Sequence, residues 1–114
     1  MQPRRDMQEV KAPEMFQFSD DNPWLGGVLL GVSRVEVRGK EATQYMVDDR
    51  GEGGRDPRRY TFLGTYDLDR KLGPEHIGHW LDIRYEGEDH AVQTQGSPLR
   101  KFRVQISKEK EPGF

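Results

Sequence analysis

The sequence predicts an all-β domain, a five-stranded barrel with one short helix, and three observations support this prediction. Apolar and polar residues alternate along five separate stretches, which is the pattern of strands with one buried face. Segments rich in glycine, proline and charge separate those stretches, and one segment carries the signals of a helix. With 114 residues, 32% of them hydrophobic and 33% charged, the chain suffices for one domain with a modest core.

The first predicted strand, residues 28–37, contains a break in its alternation. Its apolar positions are even-numbered up to Val32 and odd-numbered from Val35 onward. One extra residue near 33–34 would restore the register, so we expect a β-bulge there. A long first strand that bends in this way suits a small barrel, in which it passes from one side to the other.

The other predicted elements give an order that is typical of one architecture. The helix, which Thr65 is expected to cap, lies between the third and fourth strands, before the Gly73-Pro74 stop. A polar loop is expected between the fourth and fifth strands. This order is that of the oligonucleotide/oligosaccharide-binding (OB) barrel, with an open five-stranded sheet and an SH3-like barrel as alternatives. The predicted ranges are 43–48, 59–63, 79–85 and 101–106 for the strands, 65–72 for the helix and 86–98 for the loop.

Two flexible ends are expected around this domain. Residues 1–22 form an N-terminal arm without a periodic apolar face, and 108–114 form a C-terminal tail rich in charge, proline and glycine. The barrel itself covers residues 23–107. Within the arm, residues 15–18 are the exception, because they carry two phenylalanines that can add a short strand or dock on the barrel.

Several classes of function are disfavoured. Without cysteine the chain has no disulfide, thiolate nucleophile or cysteine zinc ligand, and without a run of ~20 apolar residues or a secretion signal we expect a cytoplasmic protein. His76 and His79 stand three apart, but Pro74 and Gly78 interrupt the scaffold that a zinc site needs. No nucleophile accompanies His90. We therefore expect no enzyme, no metal, no cofactor and no membrane partner.

Three short motifs lie within residues 24–106. They are Gly64-Thr65-Tyr66-Asp67-Leu68-Asp69-Arg70-Lys71-Leu72, Ile83-Arg84-Tyr85-Glu86-Gly87 and Lys101-Phe102-Arg103-Val104. The chain resembles, in these motifs, small OB-fold proteins encoded by bacteriophages and related mobile elements. The resemblance implies binding of single-stranded nucleic acid in replication, recombination or repair. The fold alone does not imply it, because OB barrels also bind sugars, proteins and metals.

A binder of single strands needs cations that follow the phosphates and rings on which bases stack. The net charge of −2 gives the whole molecule no attraction to phosphate, so affinity has to come from a local patch and is expected to be weak and salt-dependent. Between residues 99 and 110, five basic side chains stand against Glu109 alone. The candidate nucleic-acid-binding residues are Arg34, Arg38, Arg58, Arg59, Tyr60, Phe62, Lys101 and Arg103.

The aromatic candidates have two interpretations each. Tyr60 and Phe62 share one face of the third strand, and they form a stacking platform if that face is outward or core if it is inward. Trp24 and Trp80 are either plugs of the core or platforms for a ligand. Alternation alone does not decide between these interpretations.

The basic candidates also leave an alternative open. Lys101 and Arg103 point outward if the apolar residues of the fifth strand point inward, and with Arg34 and Arg38 they would line one groove. Otherwise they are scattered solubilising charge. The alternative function is a protein-interaction or assembly module on the same barrel, which suits a negative net charge better.

Overall fold

A computed structural model describes residues 12–51, 54–94 and 96–114 of the chain. The protein is mostly β: of the described residues, 60% lie in strands, and one short helix, α1 (Tyr66–Lys71), is present. A 3₁₀ turn, Pro74–His76, follows the helix. The strands are β1 (Glu14–Met15), β2 (Trp24–Val37), β3 (Lys40–Asp48), β4 (Arg59–Leu63), β5 (His79–Thr94) and β6 (Ser97–Lys110). The part of the predicted arm at 1–11 lies outside the described residues.

All the strands belong to one sheet, in the order β1-β4-β3-β2-β5-β6. Neighbours are antiparallel except β1 and β4, which are parallel. The prediction of a mainly β domain with its helix between the third and fourth predicted strands is confirmed, since α1 connects β4 to β5. The prediction of a closed five-stranded barrel is wrong, because over the described residues the sheet has six strands and β4 does not pair with β6.

The long strand β2 connects the two halves of the sheet. Val28 pairs with Asp48 of β3 on one side and with Trp80 of β5 on the other. Before Val28 the strand pairs with β5, and after it with β3. The bulge falls between Leu29 and Gly31, not near 33–34 as predicted. The even-numbered pattern places Val28 on the core face, but before the bulge it is Leu29 that belongs to the main core, and Val28 is buried outside it.

An aromatic side chain from the N-terminal segment fills the gap between β4 and β6. The ring of Phe18 makes edge contacts with Phe62 of β4 at 5.7 Å and with Phe102 of β6 at 5.1 Å between ring centroids. The guanidinium of Arg100 donates a hydrogen bond to the carbonyl of Phe18 at 2.6 Å. The expected arm therefore includes a segment that packs on the domain and covers the opening that β4 and β6 leave.

Helix α1 covers the core as its sequence predicts. Thr65 caps it by accepting a hydrogen bond from the N–H of Leu68 at 3.4 Å, and Leu68 and Leu72 are buried in the core. Asp67 fastens the helix to β6, because its carboxylate accepts hydrogen bonds at 2.8 Å from the N–H of Phe102 and from the ammonium of Lys71.

The polar loop predicted at 86–98 is not a loop. Strands β5 and β6 continue as an antiparallel ribbon as far as the pair Thr94 and Ser97. Most of its side chains are exposed or half-buried, so no apolar alternation marks them as strand. Register shifts between Tyr85 and Gly87 and between Asp89 and Gln93 disturb the pattern further.

The C-terminal segment also has defined contacts. Strand β6 continues to Lys110, three residues beyond the predicted end of the barrel, and the N–H of Glu111 bonds to the carbonyl of Gly78 at 2.8 Å. The guanidinium of Arg50 lies 5.3 Å from the ring centroid of Phe114. The predicted tail at 108–114 is thus partly strand and partly folded back toward Gly78.

We predict that Phe102→Ala lowers the free energy of unfolding by about 3–5 kcal/mol, because Phe102 is 1% exposed and its loss leaves a cavity. Its neighbour Lys101 is exposed, so Lys101→Ala should change the same quantity by less than about 0.5 kcal/mol. Urea denaturation measures both. Equally mild effects would contradict the orientation of β6.

The carboxylate of Asp67 gives a second prediction, for acid stability. Burial alone would raise its pKa, but the hydrogen bonds from Lys71 and from the N–H of Phe102 outweigh burial and lower the pKa. A carboxyl group whose pKa is lowered by folding stabilises the fold at pH values above its pKa in the unfolded chain, about 3.9. This stabilisation is lost as the pH falls through the pKa of the folded state.

Asp67→Asn should therefore reduce the free energy of unfolding at pH 7 by about 1–3 kcal/mol. The difference from the wild type should shrink as the pH falls below about 4. Urea melts between pH 7 and pH 2 test this, with the exposed Asp21→Asn as a control that changes stability little. A difference that stays constant over the whole range would contradict the role of the Asp67 charge.

Candidate nucleic-acid interface

The eight candidate residues fall on three separate parts of the sheet. Arg34 and Arg38 lie at the far end of β2, the second group lies at β4, and Lys101 and Arg103 lie on β6. The predicted groove joining Arg34 to Arg103 does not form, because β5 lies between β2 and β6. The second group consists of Arg58, Arg59, Tyr60 and Phe62.

The separation between the β2 and β6 candidates follows from the register. Arg103 pairs with Arg84 of β5, and Arg84 pairs with Trp24 at the start of β2. Arg34 is ten residues farther along β2, or about 33 Å of strand. The Arg34 guanidinium is also engaged locally, since it donates to the Thr43 hydroxyl at 2.8 Å and lies 3.3 Å from the carboxylate of Glu41.

At β4, the rings of Tyr60 and Phe62 face the core and not the solvent. Phe62 is 1% exposed and stacks on Tyr45 with 5.1 Å between ring centroids, so its ring is closed to a base. Tyr60 is half-buried and meets Phe16 edge-on at 5.9 Å. A hydrogen bond with the Tyr60 side chain raises the pKa of Arg58. The guanidinium of Arg59 pairs with Asp48 at 3.5 Å.

On β6, Lys101 and Arg103 are exposed, while Phe102 points into the core. Directly opposite Arg103 on β5 is Arg84, which is exposed too. Like charges facing each other across a strand pair destabilise a sheet. Within the described residues, neither arginine forms an ion pair with a carboxylate. These two guanidiniums therefore form a positive site without an ion-pair partner.

An exposed indole completes this site. Trp24 pairs with Arg84 across β2 and β5 and is 48% exposed. Its Nε1–H donates to the carboxylate of Asp82 at 2.5 Å, and a Cβ on Gly26 would lie 2.7 Å from the ring. The ring is therefore held against the glycine backbone, with its remaining surface open to solvent. We call these three residues the Trp24–Arg84–Arg103 row.

Sequence reasoning missed Arg84, and it weighed Trp24 as a ligand platform without placing it in a strand. Arg84 does alternate with apolar residues in the fourth predicted strand, and this signal was enough to place it on the outer face. Trp24 precedes the predicted start of the first strand at residue 28, so its position opposite Arg84 had no visible signal. The row forms only when β2, β5 and β6 pair, and the sequence of a single strand does not indicate which residues it will face.

The histidines have structural partners. The N–H of Gly73 donates to Nδ1 of His76 at 3.2 Å, and Nδ1 of His79 bonds to the carbonyl of Ser107 at 2.8 Å. Across the residues that the structure describes, no three histidine, aspartate or glutamate side chains group as a metal site. No helix in the same residues has the length and apolar character that a membrane span requires.

The chain was compared with protein-family models, with curated proteins and with solved structures, and none of them matched. The resemblance to phage OB-fold proteins thus stays a prediction from three motifs. In the structure, the first of these motifs attaches the helix. Asp69 accepts a hydrogen bond from the hydroxyl of Tyr45 at 2.7 Å, and burial together with this bond raises the pKa of Tyr45. At Gly64, the Asp69 carboxylate leaves no room for a Cβ.

The indole hydrogen bond of the row is testable directly. We predict that Asp82→Ala speeds the exchange of the Trp24 indole N–H with water by up to about tenfold, since such a bond contributes about 0.5–1.5 kcal/mol. Proton exchange measured by NMR reports it, and the indole N–H of Trp80 in the same spectrum is the control. An unchanged rate for Trp24 would show that Asp82 does not hold the ring.

Proposed function

We propose that this chain binds single-stranded DNA or RNA through the Trp24–Arg84–Arg103 row and carries out no catalysis. The observation that supports the proposal is the pair of facing arginines, neither of which forms an ion pair, beside an exposed indole. Proteins that bind single strands without sequence preference combine these two components, cations for the phosphates and rings for the bases.

The spacing of the row suits one segment of a nucleic-acid strand. Neighbouring strands of a sheet lie about 4.8 Å apart, so the ring and the two guanidiniums fall within about 10 Å. A base stacked on Trp24 brings its flanking phosphates within reach of Arg84 and Arg103. Lys101 adds a further cation on the same face of β6, two residues from Arg103.

Two acids lie close to the row on β5. Asp82 accepts the hydrogen bond of Trp24, and Glu86, two residues from Arg84, is exposed. Against them stand the three cations Arg84, Arg103 and Lys101, so this face has a small positive surplus although the whole chain carries a net charge of −2. With little long-range attraction, binding is weak and depends on salt.

The alternative, a protein-interaction module, is favoured by one observation. Among the described residues, β6 has no strand on its outer side, so one edge of this 14-residue strand is open. Lysines and arginines along it, such as Lys101 and Lys108, are a common protection against pairing with a second strand. The N-terminal segment, the other candidate contact, packs Phe18 into the core. Nucleic acid therefore remains the better-supported partner.

The double substitution Arg84→Ala plus Arg103→Ala should weaken binding to a generic single-stranded oligonucleotide and flatten its salt dependence. Each lost phosphate contact lowers the slope of log affinity against log salt by about 0.7. Trp24→Ala should weaken binding by about 1–3 kcal/mol with little change in slope, because stacking is not ionic. Fluorescence anisotropy at several salt concentrations measures both.

Arg34→Ala plus Arg38→Ala is the matched control, because it removes the same charge from the far end of β2. This control should leave affinity nearly unchanged, and thermal melts should show all variants folded. If the control weakens binding as much as the row variant, the row is not the interface. If the folded wild type binds no oligonucleotide at low salt, the protein-interaction alternative replaces this proposal.

A further inference from the structure

A cleft of about 140 Å³ lies beside the Trp24–Arg84–Arg103 row. It exists because β3 pairs with β2 only from Val28 onward, whereas β2 begins four residues earlier. After Asp48 the chain leaves the sheet, and the gap is bordered by β4 instead. Aromatic side chains form much of its wall, namely Phe16, Trp24, Tyr60 and Trp80.

The backbone at the cleft has hydrogen-bonding capacity directed into it. The N–H of Tyr85 donates a hydrogen bond to the carbonyl of Pro23 at 2.6 Å. Pro23 therefore directs its carbonyl toward β5, and this fixes which residues of β2 bond to β5. Consecutive residues of a strand direct their N–H and C=O groups to opposite sides. Leu25 and Gly27 therefore face β5, and the phase of the ladder directs the N–H and C=O of the buried Gly26 toward the cleft side of β2, where β3 pairs only from Val28 onward.

The size and lining restrict what the cleft can take. Small-molecule pockets usually measure about 300–1,000 Å³, so a cleft of about 140 Å³ holds a single ring system and not a larger ligand. Aromatic walls favour a flat ring, and the adjacent donor and acceptor of Gly26 match the hydrogen-bonding edge of a nucleobase. The Oδ1 of Asp49 accepts hydrogen bonds from the N–H groups of Gly51 and Arg58, so this oxygen does not compete for the edge of the base.

We propose that the cleft receives one unstacked base of a bound strand and that the backbone of Gly26 reads its edge. The inference rests on the proposed function and adds a base preference to it. Trp24 belongs to both sites, since its ring is a wall of the cleft and the platform of the row. One base can therefore stack on the indole while its neighbour enters the cleft.

The first test compares oligo-dT, oligo-dA and oligo-dC of equal length by fluorescence anisotropy. The wild type should discriminate between the best and the worst by about three- to tenfold, the effect of one or two base-edge hydrogen bonds. Tyr60→Trp enlarges a wall and should remove this preference while keeping the salt dependence. Tyr60→Phe, which leaves the cleft open, is the matched control and should keep the preference.

A second test does not depend on how a variant folds. A pentanucleotide carries one 2-aminopurine, placed at each position in turn, and its fluorescence is recorded with the wild-type protein. One position should respond much more strongly than the others, because one base enters the aromatic cleft. Equal responses at all positions would overturn the inference.

The outcomes separate the two proposals. If the wild type binds all three oligonucleotides equally, while Arg84→Ala plus Arg103→Ala still weakens binding, the cleft inference fails and the proposed function stands. A preference that persists in a folded Tyr60→Trp variant also overturns the cleft. If no oligonucleotide binds at low salt, both proposals fail.

Discussion

Phe18 places its ring between Phe62 of β4 and Phe102 of β6, and this contact bridges two strands that, in the part of the chain the structure describes, no strand pairing connects. Edge-to-face ring pairs add about 0.5–1.5 kcal/mol each beyond the burial of area. The core therefore lies on the inner face of the sheet, closed on one side by α1 and on the other by this segment. The outer face at Trp24, Arg84 and Arg103 is exposed and carries the Trp24–Arg84–Arg103 row, whereas the cleft lies at the edge of β2 beside β4.

Much of the fold follows from local patterns, whereas its closure does not. The alternation in β6 placed Phe102 inward, and the signals around Thr65 predicted the helix. Closure of the sheet into a barrel depends on which segment packs beside β4. The segments that could pack there are distant in the chain, so local patterns do not indicate which of them does. Phe18 lies in a polar stretch whose composition resembles a flexible arm. The ribbon beyond Tyr85 was missed because a strand that is wet on both faces has no apolar alternation.

The candidate site was predictable only in part. The same alternation placed Lys101 and Arg103 outside, but a period of two does not say which face of β4 is core, so Phe62 remained ambiguous until its contacts were known. Arg84 lies opposite Arg103 only because of the register between β5 and β6, which the sequence does not indicate. The motif around Asp69 that resembles phage proteins serves to attach the helix, so it bears on the fold more than on the ligand.

The central claim is that nucleic acid binds the outer face of β2, β5 and β6, and an NMR titration of labelled protein with a single-stranded oligonucleotide tests it most directly. The indole N–H of Trp24 and the side-chain Nε–H signals of Arg84 and Arg103 should shift together as oligonucleotide is added. The signals of Arg34 and Arg38, at the far end of β2, should not move. Shifts confined to Arg34 and Arg38, or no shifts at low salt, would contradict the account.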